Sequence, residues 1–317
     1  MPMSPRPGRS LVLGLLAGLL LACSPAPEPA STPKHAAPAV VPHGAATPDA
    51  AVSDLLDHLR RNALADVPRS ALPAALHARL EASWRNGQSR WPLTELPLDQ
   101  SIPGMLETLT ATDAEPRLQA RFGQQLSGQT RALQDAARGM GLFGKQYLAQ
   151  QGRDYSRQQR EHYSQLIDAV SGWAQQAPLG DPGRGREAIH LLVKGAERSG
   201  IRNNEDFTRV GMEASLKALV PLYIAIKQML ALYGLGVDTA LAGARAETVR
   251  VEGDRAQVRI RYALAGRDIE TVVEAVRVEG RWYLADYLKA AEASLGEPQD
   301  EAEAPATPSG PNAPAAR

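Results

Sequence analysis

Residues 248–264 read TVRVEGDRAQVRIRYAL, and this stretch decides the fold class of the C-terminal part of the chain. Valine residues alternate with polar residues up to Glu252, and a second alternating run follows Gly253-Asp254, a pair typical of tight turns. A period of two places the apolar side chains of a strand on one face. The stretch therefore predicts two antiparallel strands joined by a hairpin.

The next residues extend this pattern to four strands. Turns at Gly266 and Gly280 lead into a third strand at 269–278 and a fourth at 282–284. Within the third run, Val272-Val273 breaks the alternation, which predicts a β-bulge there. Because tight turns link all four strands, we expect an antiparallel meander with one apolar face.

The segment before the strands has a helical period instead. In residues 49–235, apolar residues recur three or four positions apart, and Pro and Gly separate the runs. About seven helices are expected there, and a closing helix is expected at about 285–295. The predicted fold class is mainly α with a C-terminal antiparallel sheet (α+β): about seven helices, a four-stranded β-meander and a closing helix, divided into a helical region at 49–235 and a small α+β sheet region at 236–296.

The seventh helix has the most regular pattern in the chain. Its apolar residues alternate in steps of four and three, as in a coiled-coil seam: Met212, Leu216, Leu219, Tyr223, Ile226, Leu230 and Tyr233. One interpretation is a dimerising coiled coil, and the other is the central helix of the protein's own fold. The helix is apolar on nearly every side, which favours burial within the fold.

The composition excludes several classes of protein. The 317 residues include 35 basic and 35 acidic side chains, so the net charge of zero favours neither nucleic acid nor an anionic surface as a partner. The single cysteine excludes an intramolecular disulfide and a site built from several thiolates. We expect no nucleic-acid partner.

The N-terminal residues have the features of an export signal. Arg6 and Arg9 precede a 12-residue apolar run at 11–22 that is too short to span a bilayer core of about 30 Å. The run ends in Leu20-Leu21-Ala22-Cys23, which resembles the lipobox of bacterial lipoproteins. That resemblance implies a signal peptide at 1–22, lipid on Cys23 as the membrane partner, and a place in the cell envelope, with the outer membrane facing the periplasm favoured.

Two segments lack any periodic apolar pattern. Residues 23–48 are rich in Pro and Ala and are predicted to form an extended tether, with His35 and His43 as solvated linker residues. Residues 297–317 are rich in Pro, Ala and acids and are predicted to be a disordered acidic tail.

The strand region also carries a weaker resemblance. The sequences VRVEGDRAQVRIRY and VRVEGRWYLADY are similar to the last strands of small cystatin-like and NTF2-like α+β modules. In NTF2-like proteins, a curved sheet and its helices enclose a cone that holds small ligands. The resemblance implies a ligand pocket near the sheet, whose candidate residues are Tyr223, Tyr262, Glu270 and Tyr283.

A search for catalytic and metal-binding patterns finds none that is specific. Histidines at i, i+4 spacing, HExxH, CxxC and GxSxG are all missing, so we predict no catalytic residue, no metal and no cofactor. His162 follows Glu161 directly, so the two side chains point about 100° apart on a helix and do not share a metal. Gly139 and Gly141 indicate a tolerated helix irregularity or hinge.

Charged residues on the predicted strands suggest an anion site and a catalytic base, and each has a structural alternative. One stripe of cations crosses neighbouring strands and either binds an anion or is neutralised by acids across the strands, and the second is favoured. Its residues are Arg259, Arg261, Arg277 and Arg281, with Arg250 beside them. The strand acids allow a second interpretation, in which Glu270 or Glu274 acts as a base beside Tyr262, Tyr283 and Asp286. The favoured interpretation is that these acids lie on the solvent face of the sheet, where acids are common.

The function predicted first is a non-enzymatic binding or scaffolding role in the cell envelope, with an envelope protein or a cell-wall component as the partner. The first alternative is a small-ligand or lipid carrier with a pocket between the sheet and the long helix. The second is a hydrolase with a carboxylate site that the sequence does not reveal. A closed cavity above about 300 Å³ favours the alternatives, whereas a filled interior with an exposed apolar patch favours partner binding.

Overall fold

The structure, a computed structural model, describes residues 42–96, 101–151 and 155–295. The predicted signal peptide, Cys23, most of the predicted tether and the acidic tail lie outside the described residues. Within the described ranges the predicted α+β class is confirmed, because helices precede a four-stranded antiparallel sheet and a closing helix follows it.

The described residues contain thirteen α-helices where about seven were expected. Several of them have only six or seven residues, which is too short to show a helical period in the sequence. The helices are α1 (Pro48–Arg60), α2 (Asp66–Ala71), α3 (Ala74–Arg85), α4 (Ile102–Thr110), α5 (Ala114–Gln125), α6 (Thr130–Gln151), α7 (Arg157–Ala174), α8 (Pro182–Ser199), α9 (Asn204–Val210), α10 (Met212–Ala218), α11 (Val220–Leu232), α12 (Val237–Gly243) and α13 (Ala285–Ser294), and a short 3₁₀ helix covers Leu93–Glu95.

The sheet is the predicted meander. Its strands are β1 (Arg245–Glu252), β2 (Arg255–Leu264), β3 (Arg267–Val278) and β4 (Arg281–Leu284), which pair in chain order. Every second residue of β2, from Ala256 to Leu264, is buried on the inner face. Helix α1 lies against this face, and α12 contacts both α1 and β2. The alternation in the sequence therefore identified the face that packs against the helices.

The predicted bulge in β3 is wrong. The register between β2 and β3 is continuous, and the irregularity lies in β1 between Thr248 and Arg250. Thr271, a polar residue, occupies the inward position between Ile269 and Val273, so the alternation is unbroken. The bulge was predicted because a polar threonine was expected to point outward, towards solvent.

The predicted seventh helix is two helices. The break lies at Leu219, and α10 and α11 are bent by 42° there. Pro221 causes the break because proline has no N–H to donate and fits in the first turn of a helix. Helix α11 lies along α8 inside the fold, where a Cβ atom on Gly195 would lie 2.6 Å from Cβ of Ala225. The intramolecular interpretation of the seam therefore agrees with the packing.

Among the described residues, no single helix is long and apolar enough to cross a membrane. Helices α10 and α11 meet the length and composition criteria only when taken together across their bend.

The body of the fold starts before the predicted end of the tether. Residues 42–47 lie against β4, where the backbone N–H of Ala45 donates to the carbonyl of Trp282 and the N–H of Trp282 donates back to Ala45. Gly44 has a φ of +67°, and a Cβ there would lie 2.5 Å from the Tyr283 ring, so only glycine fits this approach. The side chain of His43 bonds to the carbonyl of Leu72, so His43 is not a solvated linker residue.

Helix α7 covers the part of β3 that β4 leaves open. Strand β4 pairs only with the last four residues of β3. Farther along that strand, the amide nitrogen of Gln165 donates to the carbonyl of Glu270 at 3.1 Å, and the N–H of Glu270 donates to the amide oxygen at 3.0 Å. The side chain of Gln165 thus takes the place of a neighbouring strand at this edge.

Candidate functional site

The four residues predicted to line a pocket do not come together. Tyr262 points to the inner face of the sheet, whereas Glu270 lies on the outer face in an ion pair with Arg261 at 2.6 Å. Tyr283 pairs with Val276, seven residues along β3 from the partner of Tyr262, which corresponds to roughly 23 Å. The predicted pocket around these residues is therefore not formed by this arrangement.

Tyr223, the fourth predicted pocket residue, lies against an ion pair whose lysine is buried. Lys227 is only 1% exposed, and its Nζ donates to Asp238 at 2.8 Å and lies 4.9 Å from the ring centre of Tyr223. Burial lowers the pKa of Lys227, and the bond to Asp238 opposes that shift. Burial also raises the pKa of Tyr223, whose hydroxyl has no hydrogen-bond partner among the described residues. The arrangement holds α12 against α11.

Tyr262 is bonded to a histidine that the sequence reading had set aside. His162 of α7 is fully buried, and its Nε2 lies 2.8 Å from the Tyr262 hydroxyl. Burial lowers the pKa of His162 to about 4, so the ring is neutral at pH 7. A neutral, buried histidine with one ordered partner fits a structural link between α7 and the sheet.

A half-buried carboxylate lies close to this link. Asp286, in the first turn of α13, accepts a hydrogen bond from the Gln159 amide at 3.3 Å. Burial raises the pKa of Asp286, and the bond to Gln159 opposes that shift. The neighbouring Tyr163 hydroxyl is buried and has no hydrogen-bond partner in the described ranges. Such groups resemble those of acid–base sites, but the groove described below is lined by other residues.

Histidine and carboxylate groups also meet where the chain enters the body. The rings of His43 and His77 lie 5.4 Å apart with a T-shaped geometry, and His77 Nε2 lies 3.2 Å from Glu213. Arg69 pairs with the same carboxylate at 2.7 Å. Burial lowers the pKa of His77. In the described part of the chain, no three His, Cys, Asp or Glu side chains are placed to hold a metal ion.

The arginine stripe on the outer face of the sheet is neutralised by acids. Arg261 and Arg259 both contact Glu270, and the hydrogen bond from Arg261 lowers the pKa of this carboxyl. Arg277 donates to Asp254 at 2.8 Å, and its guanidinium lies over the Trp282 ring. Together with the pair of Arg250 and Glu252, these contacts neutralise four of the five arginines of the predicted stripe, as the cross-strand interpretation expected.

A shallow groove of about 160 Å³ lies between the 3₁₀ helix Leu93–Glu95, α4 and α9. Arg90 lines it, but the five N–H groups of its guanidinium all donate to neutral acceptors: the carbonyls of Trp84, Ser89 and Asn204, the Asn204 side chain and the Thr208 hydroxyl. No donor of Arg90 is left for a ligand. The other lining residues are mainly apolar: Leu93, Thr94, Ile102, Pro103 and Phe207. The groove is smaller than most ligand pockets.

The most unusual surface of the described chain is on α6. Met140, Phe143 and Tyr147 are 74%, 68% and 53% exposed, and their spacing places them on one side of the helix. We call these three residues, with the exposed Ala132, Ala136 and Gly139, the α6 face. Exposed aromatic side chains grouped in this way are typical of a binding surface.

The opposite side of α6 explains why this face is left uncovered. At Gly141 and Gly144, α6 approaches α7 so closely that a Cβ on Gly141 would lie 2.7 Å from Cβ of Ser171. The expected irregularity or hinge at Gly139 and Gly141 is wrong, because α6 runs unbroken from Thr130 to Gln151. These glycines let the helix dock along α7 by one side, and the other side remains exposed.

Comparison with known proteins found no family model, no curated protein and no solved structure that matches this chain. The lipobox and the similarity of the strands to cystatin-like and NTF2-like modules therefore stay predictions.

Neither the α6 face nor the His162–Tyr262 link follows from the sequence pattern. Phe143 and Tyr147 were visible as aromatic residues four apart in a helix, in a chain with only 5% aromatic residues. That signal did not tell which side of the helix was buried. Only the packing on α7 shows that the aromatic side is the exposed one.

Proposed function

We propose that this chain is a lipid-anchored protein of the cell envelope whose body binds a protein partner through the α6 face. The observation that carries the proposal is the exposure of Met140, Phe143 and Tyr147 on one helix side. At these exposures the three side chains present on the order of 400 Å² of mostly apolar surface. That area is within the range of the largest patches on soluble monomers, which often have a function.

The interior supports binding through the surface rather than through a cavity. One large cluster of buried apolar residues joins the helices to the inner face of the sheet. The groove beside Arg90 holds about 160 Å³, half of what a drug-sized ligand commonly needs. Among the described residues, the groove beside Arg90 is weaker support for a ligand carrier or a hydrolase than the α6 face is for a binding protein.

The proposed anchor limits where the partner lies. Residues 24–41 separate Cys23 from the first described residue, and a chain of that length spans at most about 60 Å. Lipid on Cys23 would keep the α6 face within that distance, plus the length of the body, of the membrane surface. A partner in or near the same membrane fits this geometry.

Two experiments test the two halves of the proposal. In cells, we expect Cys23→Ser to abolish both palmitate labelling and recovery in the membrane fraction, and retained labelling would refute the anchor.

The binding surface is tested by crosslinking. A photo-crosslinking residue at Phe143 should give covalent adducts with protein in intact cells. The same residue at Leu142, which is 67% exposed on another side of α6, is the matched control. Equal adduct yields at the two positions would refute the α6 face as a specific binding surface.

A further inference from the structure

We propose that the partner of the α6 face is the α6 face of a second copy of this chain, with the two helices antiparallel across a two-fold axis. This inference rests on the proposed function, because it assigns the partner of the same surface. The axis would pass between Gly139 and Met140, at the middle of the face.

The order of residue sizes along α6 is self-complementary. Its N-terminal half presents small residues and its C-terminal half presents large ones, within a length of about 22 Å. When the helix is reversed about a point between residues 139 and 140, each small residue lies level with a large one. The three level pairs are Ala132 with Tyr147, Ala136 with Phe143 and Gly139 with Met140, where the second residue of each pair belongs to the second copy.

Two-fold symmetry uses each of these pairs twice. In such an interface, the contact from one residue to another is repeated in the opposite direction, so a single helix face supplies both sides and the assembly closes at two copies. Ala136 and Phe143 lie only about 20° apart around the helix, so each faces the other directly and the two helices can approach within the usual 8–10 Å between axes. Gly139 and Met140 lie about 100° apart, at opposite edges of the face, so beside the axis Met140 meets Met140 of the second copy. A parallel pair would instead place Phe143 against Phe143 and leave the alanines facing each other.

The charges of α6 do not oppose this packing. Arg138 and Lys145 lie on the side towards α7, where they contact Gln175 and Asp168 at 3.1 and 2.7 Å. At about 100° per residue, both lie more than a quarter-turn away from Met140, Phe143 and Tyr147. Asp135 is the charge nearest to the face, about 40° from Gly139, and its carboxylate lies 3.7 Å from Arg138. Pairing of the α6 faces therefore places one exposed carboxylate at the edge of the interface and no charged side chain among its six residues.

The area predicts a weak dimer. Two α6 faces together bury on the order of 1,000 Å², which is at the lower limit for a specific interface. We therefore expect an assembly that depends on concentration, and one that is favoured when both copies are confined to one membrane surface.

A single introduced cysteine tests the geometry in the full chain. Met140 lies beside the two-fold axis, so its counterpart in the second copy is adjacent to it. In membranes from cells that express the full chain, mild oxidation of Met140→Cys should give a disulfide-linked dimer several-fold more abundant than that of Leu142→Cys. The unsubstituted chain, which retains Cys23, gives the background. Equal yields from the two variants, or a yield at background for Met140→Cys, would overturn the proposal.

An exchange of side chains tests the pairing itself. In the Met140→Cys background, Ala136→Phe places two large residues level, and Phe143→Ala places two small residues level. Each should reduce the dimer several-fold, and the double variant should restore it because the large and small partners are only interchanged. A double variant that crosslinks no better than either single variant would overturn the self-pairing. If adducts from position 143 persist with another protein when self-pairing fails, the proposed function stands and the second copy is the wrong partner.

Discussion

The Tyr262 hydroxyl lies 2.8 Å from Nε2 of His162, and both side chains are buried where α7 meets the inner face of the sheet. This contact joins two residues that are 100 positions apart in the chain. It also places a titratable ring in the interior without a charged partner. The stability of the fold should therefore depend on the protonation of His162.

The first prediction concerns that pH dependence. The pKa of His162 is about 4 in the folded chain and 6.5 as an unperturbed residue. Between these values the unfolded chain binds more protons, so the free energy of unfolding should fall as the pH falls from 6.5 towards 4, by up to about 3 kcal/mol. Burial lowers the pKa of His58 and His77 in the same direction, whereas the raised pKa of Asp286 opposes the effect at the acidic end.

Urea unfolding of the fragment 42–317 at several pH values measures this effect. His162→Gln keeps an amide that can bond to Tyr262 but removes the titration, so the slope between pH 4 and 6.5 should become shallower. An unchanged slope in His162→Gln would show that other groups are responsible for it.

The second prediction concerns the ion pair between Lys227 of α11 and Asp238 of α12. Asp238→Asn would leave the ammonium of Lys227 buried without a counter-charge, which should lower the free energy of unfolding by about 3–5 kcal/mol. Lys227→Met should cost less, because Asp238 is 26% exposed and water can solvate it. Thermal unfolding of both variants and of the double variant checks the order. If Asp238→Asn is the milder of the two, the pair does not hold α12 in the way that its geometry indicates.

The third prediction concerns the contact between α8 and α11. Gly195→Ala should destabilise the fold by about 1–3 kcal/mol, because the new Cβ would lie 2.9 Å from the carbonyl oxygen of Pro221 in addition to its contact with Ala225. Gly123→Ala on α5 is the matched control, since nothing lies within 4 Å of its new Cβ. Alanine has the higher helix propensity, so this control should gain up to about 1 kcal/mol. Equal effects of the two changes in urea unfolding would contradict the close approach of the helices.

The fourth prediction concerns the first described residues. A fragment that begins at residue 48 keeps α1 whole but lacks the backbone bridge between Ala45 and Trp282, the bond from His43 to Leu72 and the Thr47 cap of α1. It should unfold at a lower urea concentration than the fragment 42–317, with a difference of about 1–3 kcal/mol. Gly44→Ala in the longer fragment should reproduce part of that loss because of the positive φ and the Tyr283 ring. Equal midpoints for all three proteins would place residues 42–47 in the tether after all.

The patterns of period two and period 3.6 were sufficient to predict the architecture. Each inward residue of β2 was identified, because side-chain direction in a strand follows directly from position. The same rule failed at Thr271, where a polar residue takes an inward place. The helical period likewise did not show the break at Leu219, because the apolar seam continues across Pro221 into the next helix. Residue type therefore predicted elements better than it predicted their limits.

The candidate site depended on contacts that no local pattern contains. Tyr223, Tyr262, Glu270 and Tyr283 were grouped because they share a region of the sequence, but the pleat places Glu270 and Tyr262 on opposite faces of the sheet. Gln165 replaces a missing strand at Glu270, a contact between residues 105 positions apart. Such pairs are set by how helices stack on the sheet, which the sequence does not state residue by residue.

The sequence by itself determined the α+β class, the succession of a helical region, four strands and a closing helix, and the inward face of the central hairpin, because these follow from the period of apolar residues along the chain. It also supplied the lipobox at Cys23, which stays a prediction. Only the tertiary structure decided which side of α6 is covered. Gly141 and Gly144 let that helix dock closely on α7, so Met140, Phe143 and Tyr147 face outward, where residue type alone would have placed them in a core.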